Sequence, residues 1–416
     1  MGIAKLTRNE INNMNRRLFI NSLAGSAFGV TTLKGAVKTP NPKVKNVIYI
    51  YLDGGMSHID SFDPKDDAEV KGDTQKIGTN VAGIEIGHRL PKLAETMDKI
   101  CIIRSMNSKT GAHGPAQYLN RTSYRQIGTI VHPSLGSWVA HLKDRKRAIP
   151  DYVLVSGSSA HPKAGFLPRI KSPLPIVDPN VGLRNVRTDR HLEERTQLLN
   201  SLNANIVSKK YPIVKEYSDF YDDTLKFLKS EDLNLFDLSR EDPKKREAYG
   251  KTKLGQGCLL AKRLITGDVQ FIEINNGGWD THVDNFTKLD SKHKELDDAL
   301  SALTLDLEDE GLLDSTLIVL TSDFGRTPRI NVNSGRDHHP QCYSSLMIGA
   351  GVKGGIIIGE SDKKASKVLG KAYNVADLNR TVAHLVGIDI EEEHTSPTGR
   401  PFRVAQKGDI IKEILN

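Results

Sequence analysis

Gly277-Gly278-Trp279-Asp280-Thr281-His282 puts a carboxylate and an imidazole two positions apart, just after the apolar run Val269-Gln270-Phe271-Ile272-Glu273-Ile274. A short apolar run closed by glycines reads as a buried strand. Two more runs end the same way. Val47-Ile48-Tyr49-Ile50-Tyr51-Leu52 leads into Asp53-Gly54-Gly55, and Leu317-Ile318-Val319-Leu320-Thr321-Ser322 leads into Asp323-Phe324-Gly325-Arg326. Open α/β sheets bind ligands beyond the carboxyl ends of their strands. Three strands that each release an aspartate there define the expected centre of the molecule.

Other segments add to this set. Gly335-Arg336-Asp337-His338-His339-Pro340 holds the densest imidazole pair in the chain. Asp53, Asp280, His282, Asp323 and His338 or His339 then form a mixed oxygen and nitrogen donor set. Such a set suits one or two divalent ions, zinc foremost, with manganese, iron or calcium also compatible. Arg104 to Pro115 brings small hydroxyl residues and His113 to the start of a helix with proline near its first turn, where free amides can meet an anion. Ser108 and Thr110 are candidate nucleophiles, and His113 is a candidate acid, base or ligand. Arg104, Arg326 or Arg336 could hold a planar oxyanion with paired hydrogen bonds, and Arg326 is the one placed among the catalytic candidates. His58 and Asp60 either line the pocket or cap the turn after the first strand. Metal, arginine and helix start together are equipment for hydrolysing a phosphate or sulfate monoester, with a metal-activated water or hydroxyl as nucleophile. The plain alternative, strand-end aspartates acting as helix caps and a histidine pair in an exposed loop, explains each motif singly but not their combination.

The elements that must position these groups alternate strand, loop and helix. Helices are expected over about Leu90 to Met97, Pro133 to Leu142, Lys251 to Leu264 and Val375 to Val386. A long one carries Leu296, Leu300, Leu303 and Leu307 at helical spacing. Further strands are expected at Ile100 to Ile103, at Tyr152 to Val155, and at Ser345 to Ile348 before the glycine exit Gly349-Ala350-Gly351. This rhythm predicts an α/β fold with a central, largely parallel sheet covered by helices on both faces. A helical insertion over about 190–265, and an exposed charged excursion over Asp66 to Glu85, carry no evident chemistry.

Charge and composition narrow the classes. Of the formal net charge of +7, residues 1–36 supply five Lys or Arg against one Glu, leaving too little for a nucleic-acid partner. The three cysteines are too dispersed for a disulfide framework or a zinc knuckle. Asn15-Arg16-Arg17-Leu18-Phe19-Ile20 opens a weakly apolar stretch to Leu33 and resembles a twin-arginine export signal. That stretch is too polar for a stable transmembrane span. The expected organisation is a signal over 1–36, a linker over 37–43, one domain over 44–410 and a tail over 411–416. The expected partners are the twin-arginine export machinery and an anionic ester or polysaccharide-type substrate, in a periplasmic or other extracytoplasmic location.

Asp53-Gly54-Gly55 with Ser57-His58-Ile59-Asp60 and Phe62-Asp63-Pro64-Lys65, His113-Gly114-Pro115, the Gly277 to His282 stretch, Ser322-Asp323-Phe324-Gly325-Arg326-Thr327-Pro328 and the Gly335 to Pro340 stretch in combination resemble the DUF1501 family. The resemblance spans roughly residues 44–410. It implies an exported bacterial protein with an alkaline-phosphatase-like and sulfatase-like fold, a central mixed or parallel sheet, and one or two divalent metals. On it, Asp53 resembles the first-strand metal aspartate, Asp280 and His282 the downstream ligands, Asp323 the aspartate of a Ser-Asp-His-Gly motif, and His338 or His339 the final histidine. Phe324 departs from that pattern where phosphatases have a ligating histidine. There is also no Cys-x-Pro-x-Arg segment of the kind that type I sulfatases modify. The resemblance is therefore compatible with a metal-dependent ester hydrolase, or with a catalytically inactive envelope binding or assembly protein that keeps the fold.

Overall fold

The computed structural model describes residues 43–416 except 144, 146, 159, 185, 187–190 and 207–211. The Arg16-Arg17 leader and the linker before residue 43 lie outside the described residues. The sheet strands are β1 (Asn46–Leu52), β2 (Ile100–Met106), β3 (Tyr152–Val155), β4 (Leu174–Ile176), β5 (Phe271–Asn276), β6 (Thr316–Ser322), β7 (Tyr343–Gly349) and β8 (Ile356–Ile358). They form one sheet in the order β8-β2-β7-β6-β1-β5-β3-β4. The longer helices are α1 (His113–Thr122), α2 (Leu135–Leu142), α3 (Leu192–Ile206), α4 (Pro212–Lys229), α5 (Lys253–Thr266), α6 (Asn285–Asp309) and α7 (Val375–Leu385).

Every residue of β1 is buried, because both faces of the sheet are covered. Ile48, Ile50 and Leu52 pack into one apolar cluster with Leu259, Leu260 and Leu264 of α5 and Leu296, Leu300 and Leu303 of α6. Val47, Tyr49 and Tyr51 point the other way, into a cluster with Trp138 of α2 and Leu378 and Val382 of α7. This double coverage turns the alternating strand pattern into a continuous apolar run. Each such aliphatic side chain contributes about 1.5–3 kcal/mol on burial. Helix starts are set locally. Ser134 caps α2 through the Ser137 amide, Thr252 caps α5 through the Gly255 amide, and Asn374 and Asp377 form a reciprocal capping box on α7.

The sheet is mixed, as α/β packing with a largely parallel core allows. β7 alone runs antiparallel, pairing that way with both β6 and β2, while the other strand pairs are parallel. The glycine at the end of β7 therefore leaves the sheet at the edge opposite the aspartates, unlike the exit suggested by its sequence. Two short strands go unmarked in the sequence. β4 contains Pro175 and is the outer strand beside β3, the place where a sheet tolerates proline, and β8 is three isoleucines directly after Gly354-Gly355. The Asp66 to Glu85 stretch is only partly an excursion, since Val70, Thr74 and Ile84 are buried. The expected tail is not one either. Ile411 and Ile414 are fully buried in the same cluster as Val47 and Tyr49, because these apolar side chains complete the cover on that face. No helix among the described residues is long and apolar enough to cross a membrane.

Candidate metal centre

The site follows from strand register. Leu52 of β1 pairs with Asn276 of β5 and with Ser322 of β6, all parallel. Three neighbouring strands thus end level, and Asp53, Gly277 and Asp323 leave the sheet side by side. Trp279 then folds back: its amide donates to the Asp53 carbonyl at 3.3 Å and its indole to Asn276 at 2.9 Å. That turn sets Asp280 above the β1 exit. Gly54 sits there with φ +119°, and a Cβ on it would lie 2.5 Å from the Asp280 amide nitrogen. Glycine is required at this approach for both reasons.

Asp323 is completely buried and works through His113. Its Oδ2 accepts from the Gly54 amide at 3.0 Å and lies 2.6 Å from His113 Nδ1. When Asp323 is ionised, His113, the first residue of α1, carries its ring proton on Nδ1, since a carboxylate only accepts. The other nitrogen, Nε2, is buried without a hydrogen-bond partner, 3.4 Å from Asp280 Oδ2. His338 arrives from the opposite side on a two-residue antiparallel ladder in which it faces Arg326. Its Nδ1 donates to the Gly111 carbonyl at 2.7 Å, which leaves Nε2 3.3 Å from Asp280 Oδ1. His282 borders the group. Its Nδ1 lies 2.7 Å from Asp337 Oδ1, and its Nε2 2.9 Å from His338 Nε2 and 3.1 Å from Asp280 Oδ1. Ligand atoms of His113, Asp280 and His338 all lie within 4.8 Å of one another.

The electrostatics suit cation binding. Burial pushes the Asp323 carboxyl up to about 7, offset in part by the Gly54 amide and the Arg326 charge. Burial also lowers the His113 pKa, against the pull of Asp280. At Asp280 burial acts upward, yet the Arg326 hydrogen bond and charge, followed by His282 and His113, hold its carboxyl below the usual range. A neutral imidazole beside an ionised carboxylate is the protonation state that a metal ligand needs. Each imidazole is also oriented from behind, His113 by Asp323, His282 by Asp337 and His338 by a carbonyl, as ligating histidines are. Three protein donors with one unpartnered buried nitrogen fit a single divalent ion, and their nitrogen and oxygen chemistry does not single out zinc.

The remaining expected residues are placed differently. Asp53 Oδ1 accepts from Gln117 at 2.6 Å and lies outside the three-residue group. His339, adjacent to His338 on the ladder, points the other way and donates to the Ser366 carbonyl at 2.7 Å, since neighbouring strand residues face opposite sides. Arg326 is fully buried. It donates to the carbonyls of Gly54, Gly55 and Arg336 and, at 2.5 Å, to Asp280, so its reach toward the site runs through Asp280. Arg104 donates to the carbonyls of Phe62 and Glu85. Arg336 forms a buried pair with Asp60, which also accepts from Ser57, Thr74 and Asn285. Asp60 is thereby a structural carboxylate, and His58, bonded to the Ala365 carbonyl, faces away into the fold. The Ser108 hydroxyl donates to the Thr110 carbonyl at 3.2 Å, and among the described residues no hydrogen bond joins either hydroxyl to the Asp280 group. Phe324 packs beside two of the imidazoles, stacked on His113 at 5.1 Å between centroids and tilted against His338 at 4.7 Å.

Sequence reasoning passed over a second set on α1. His113, Gln117 and Arg121 recur every four residues, so one helix face reaches the metal group, Asp53 and Glu273 in turn. Arg121 donates to Glu273 at 2.8 Å and to Asn275 at 3.0 Å, while Tyr152 donates to Glu273 at 2.6 Å and His161 lies 3.0 Å away. The spacing of His113, Gln117 and Arg121 was the available signal. The Gly111 carbonyl behind His338 left none, because a backbone acceptor has no residue type.

These motifs lie in one matched region, residues 44–415. The chain belongs to the DUF1501 family. That family's description reads "Protein of unknown function (DUF1501)". Among curated proteins, none matches the sequence. Solved structures with a similar chain trace include the lipoteichoic acid synthase LtaP from Listeria monocytogenes, at 10% identity and TM-score 0.38, covering 84% of this chain and 74% of that one. The PsFucS1 sulfatase from Pseudoalteromonas sp. matches at 14% identity and TM-score 0.41, over 83% and 68% of the two chains. A protein in the alkaline phosphatase superfamily from Vibrio parahaemolyticus matches at 12% identity and TM-score 0.42, over 91% and 72%.

Proposed function

We propose that this DUF1501 protein is an exported, metal-dependent hydrolase of phosphate or sulfate monoesters that uses a single divalent ion, zinc foremost. The observation that carries the reading is the convergence of His113 Nε2, Asp280 and His338 Nε2 at the common end of β1, β5 and β6. In this reading those three side chains hold the ion, His282 borders it, and Asp323 fixes the His113 tautomer. When bound, a divalent ion supplies Lewis acidity toward an ester oxygen and acidifies an attacking water. His282 lies beside the group with Asp337 behind it, which places it to accept or return a proton at Nε2. Residues 1–36 act as the twin-arginine signal in this proposal and deliver the folded protein to an extracytoplasmic compartment.

A second reading is favoured by one observation. Arg104, Arg326 and Arg336 all donate to protein acceptors, which fits a binding or assembly protein that keeps the cluster without turnover. Metal analysis by mass spectrometry of the natively exported protein, wild type beside D280A/H338A, tests the first reading, followed by aryl phosphate and aryl sulfate assays. The expected result is one transition metal per chain, lost in the variant, with turnover of one ester class. A folded wild type without metal overturns the hydrolase. Metal without turnover of either ester leaves the binding protein.

A further inference from the structure

The hydroxyl segment Ser108 to Thr110 borders a different feature. A cleft of about 530 Å³ lies beside α1, lined by Lys109, Thr110, Leu119, Arg125, Gln126 and Ile127 among others. A smaller hollow of about 120 Å³ shares Lys109, Leu119 and Arg125 and adds Ser108. Neither is lined by an acidic residue. Among the described residues, Lys109 and Arg125 have no carboxylate partner, whereas Arg89, Arg121 and Arg263 each do. Two unneutralised cations facing one concavity focus a positive potential there. The lining contains no aromatic ring, so it offers no stacking platform for nucleic-acid bases. It combines hydroxyl and amide groups with aliphatic surface, which suits a hydroxylated ring compound.

The cleft is tied to the metal group through the backbone. Thr110 and Pro115 line it, and between them lie Gly111, whose carbonyl orients His338, and His113. Three Cα steps separate Thr110 from His113, at most about 11 Å. We infer that Lys109 and Arg125 form a second anion subsite, which holds one ester group of an anionic saccharide oligomer while another ester of the same oligomer reaches the metal group. The inference rests on the ester-hydrolase reading for what occupies the metal group, but not for the binding at the cleft. A substrate carrying several sulfate or phosphate esters is then favoured over a small monoester.

Equilibrium binding of fluorescently labelled dextran sulfate oligomers, phosphomannan oligosaccharides and neutral dextran, read by anisotropy at low and high salt, tests this on the full chain. Wild type is expected to bind one charged oligomer in a salt-sensitive way and neutral dextran not at all; the tighter charged probe names the ester. K109E/R125E is expected to lose about tenfold or more in affinity at low salt. K363E/K412E changes net charge equally on exposed lysines that line neither the cleft nor the hollow and is expected to stay within about threefold of wild type. K109Q and R125Q, each weakened about threefold, serve if the double reversal impairs folding. Equal binding by wild type and K109E/R125E, equal loss in K363E/K412E, or no charged-oligomer binding by wild type overturns the subsite. Metal content measured on the same samples separates the two readings: a metal-free wild type that still binds through Lys109 and Arg125 defeats the hydrolase and keeps the subsite.

Discussion

α1 joins two clusters of charge that obey opposite rules. At its first residue, the metal group stays open to solvent and incompletely paired: Asp280 is 44% exposed, His282 41%, and the buried Nε2 of His113 has no hydrogen-bond partner. Two turns later, Arg121 and Glu273 are 2% and 3% exposed, and every oxygen of Glu273 is engaged. Arg121 also lies over the Tyr51 ring, 4.3 Å from its centroid. A buried charge pair survives only when its remaining polar atoms are satisfied, so the Glu273 network holds the helix to the sheet. Polar atoms left unmatched at the sheet's carboxyl end have no such structural role. They are the part of the cluster available to a ligand.

That contrast can be broken from either end. The largest effect is expected from Glu273→Ala, which strands a buried guanidinium and costs about 3–5 kcal/mol of stability. Denaturant titration measures it, and a loss below about 1 kcal/mol would mean that the network is not a clamp.

The pH dependence comes next. Burial holds His58 and His293 neutral in the fold, with pKa values lowered to about 4. The unfolded chain takes up those protons below about 6.5, so stability falls as pH drops from about 6.5 through 4. Both ring nitrogens of His293 are unpartnered, and His293→Leu is expected to flatten that slope by up to about 3 kcal/mol. Denaturation midpoints at pH 7 and pH 4.5 read this, and an unchanged slope would refute the buried neutral form.

At the metal group, His338→Ala is expected to lower metal affinity by more than about 100-fold, or about 2.7 kcal/mol. The metal-free form should change in stability by less than about 1 kcal/mol. Competition with a chelating dye and a melt of the apoprotein check the two halves; a large loss of apoprotein stability would place His338 with the structural cluster. The smallest effect is the surface control. Glu69→Ala breaks an exposed pair with Lys364 and should leave the denaturation midpoint unmoved, because solvent screens such a pair.

Much of the site was legible before the structure because strand ends and carboxylates are local signals. Val47 to Leu52, Val269 to Ile274 and Leu317 to Ser322 each announce a strand and the residue that leaves it, and the covered sheet follows from their uninterrupted apolar runs. The α2, α5 and α7 helices come within a few residues of their expected bounds, and the leucine spacing marks the C-terminal half of α6 without showing that it begins at Asn285, since capping residues and leucine spacing are local too. Register is not local. Nothing in the chain states that Leu52, Asn276 and Ser322 stand level, or that β7 runs backwards; those depend on which strand each segment meets. The same holds for partners. Asp60 and Asp323 look alike in sequence, yet one is neutralised by Arg336 and the other holds an imidazole. His338 and His339 are neighbours of identical type, and only the pleat of a two-residue ladder decides which one turns toward Asp280. Residue type and spacing determined what chemistry the chain can supply. Tertiary structure decided which of those groups remain unmatched, because burial and pairing are properties of segments hundreds of residues apart.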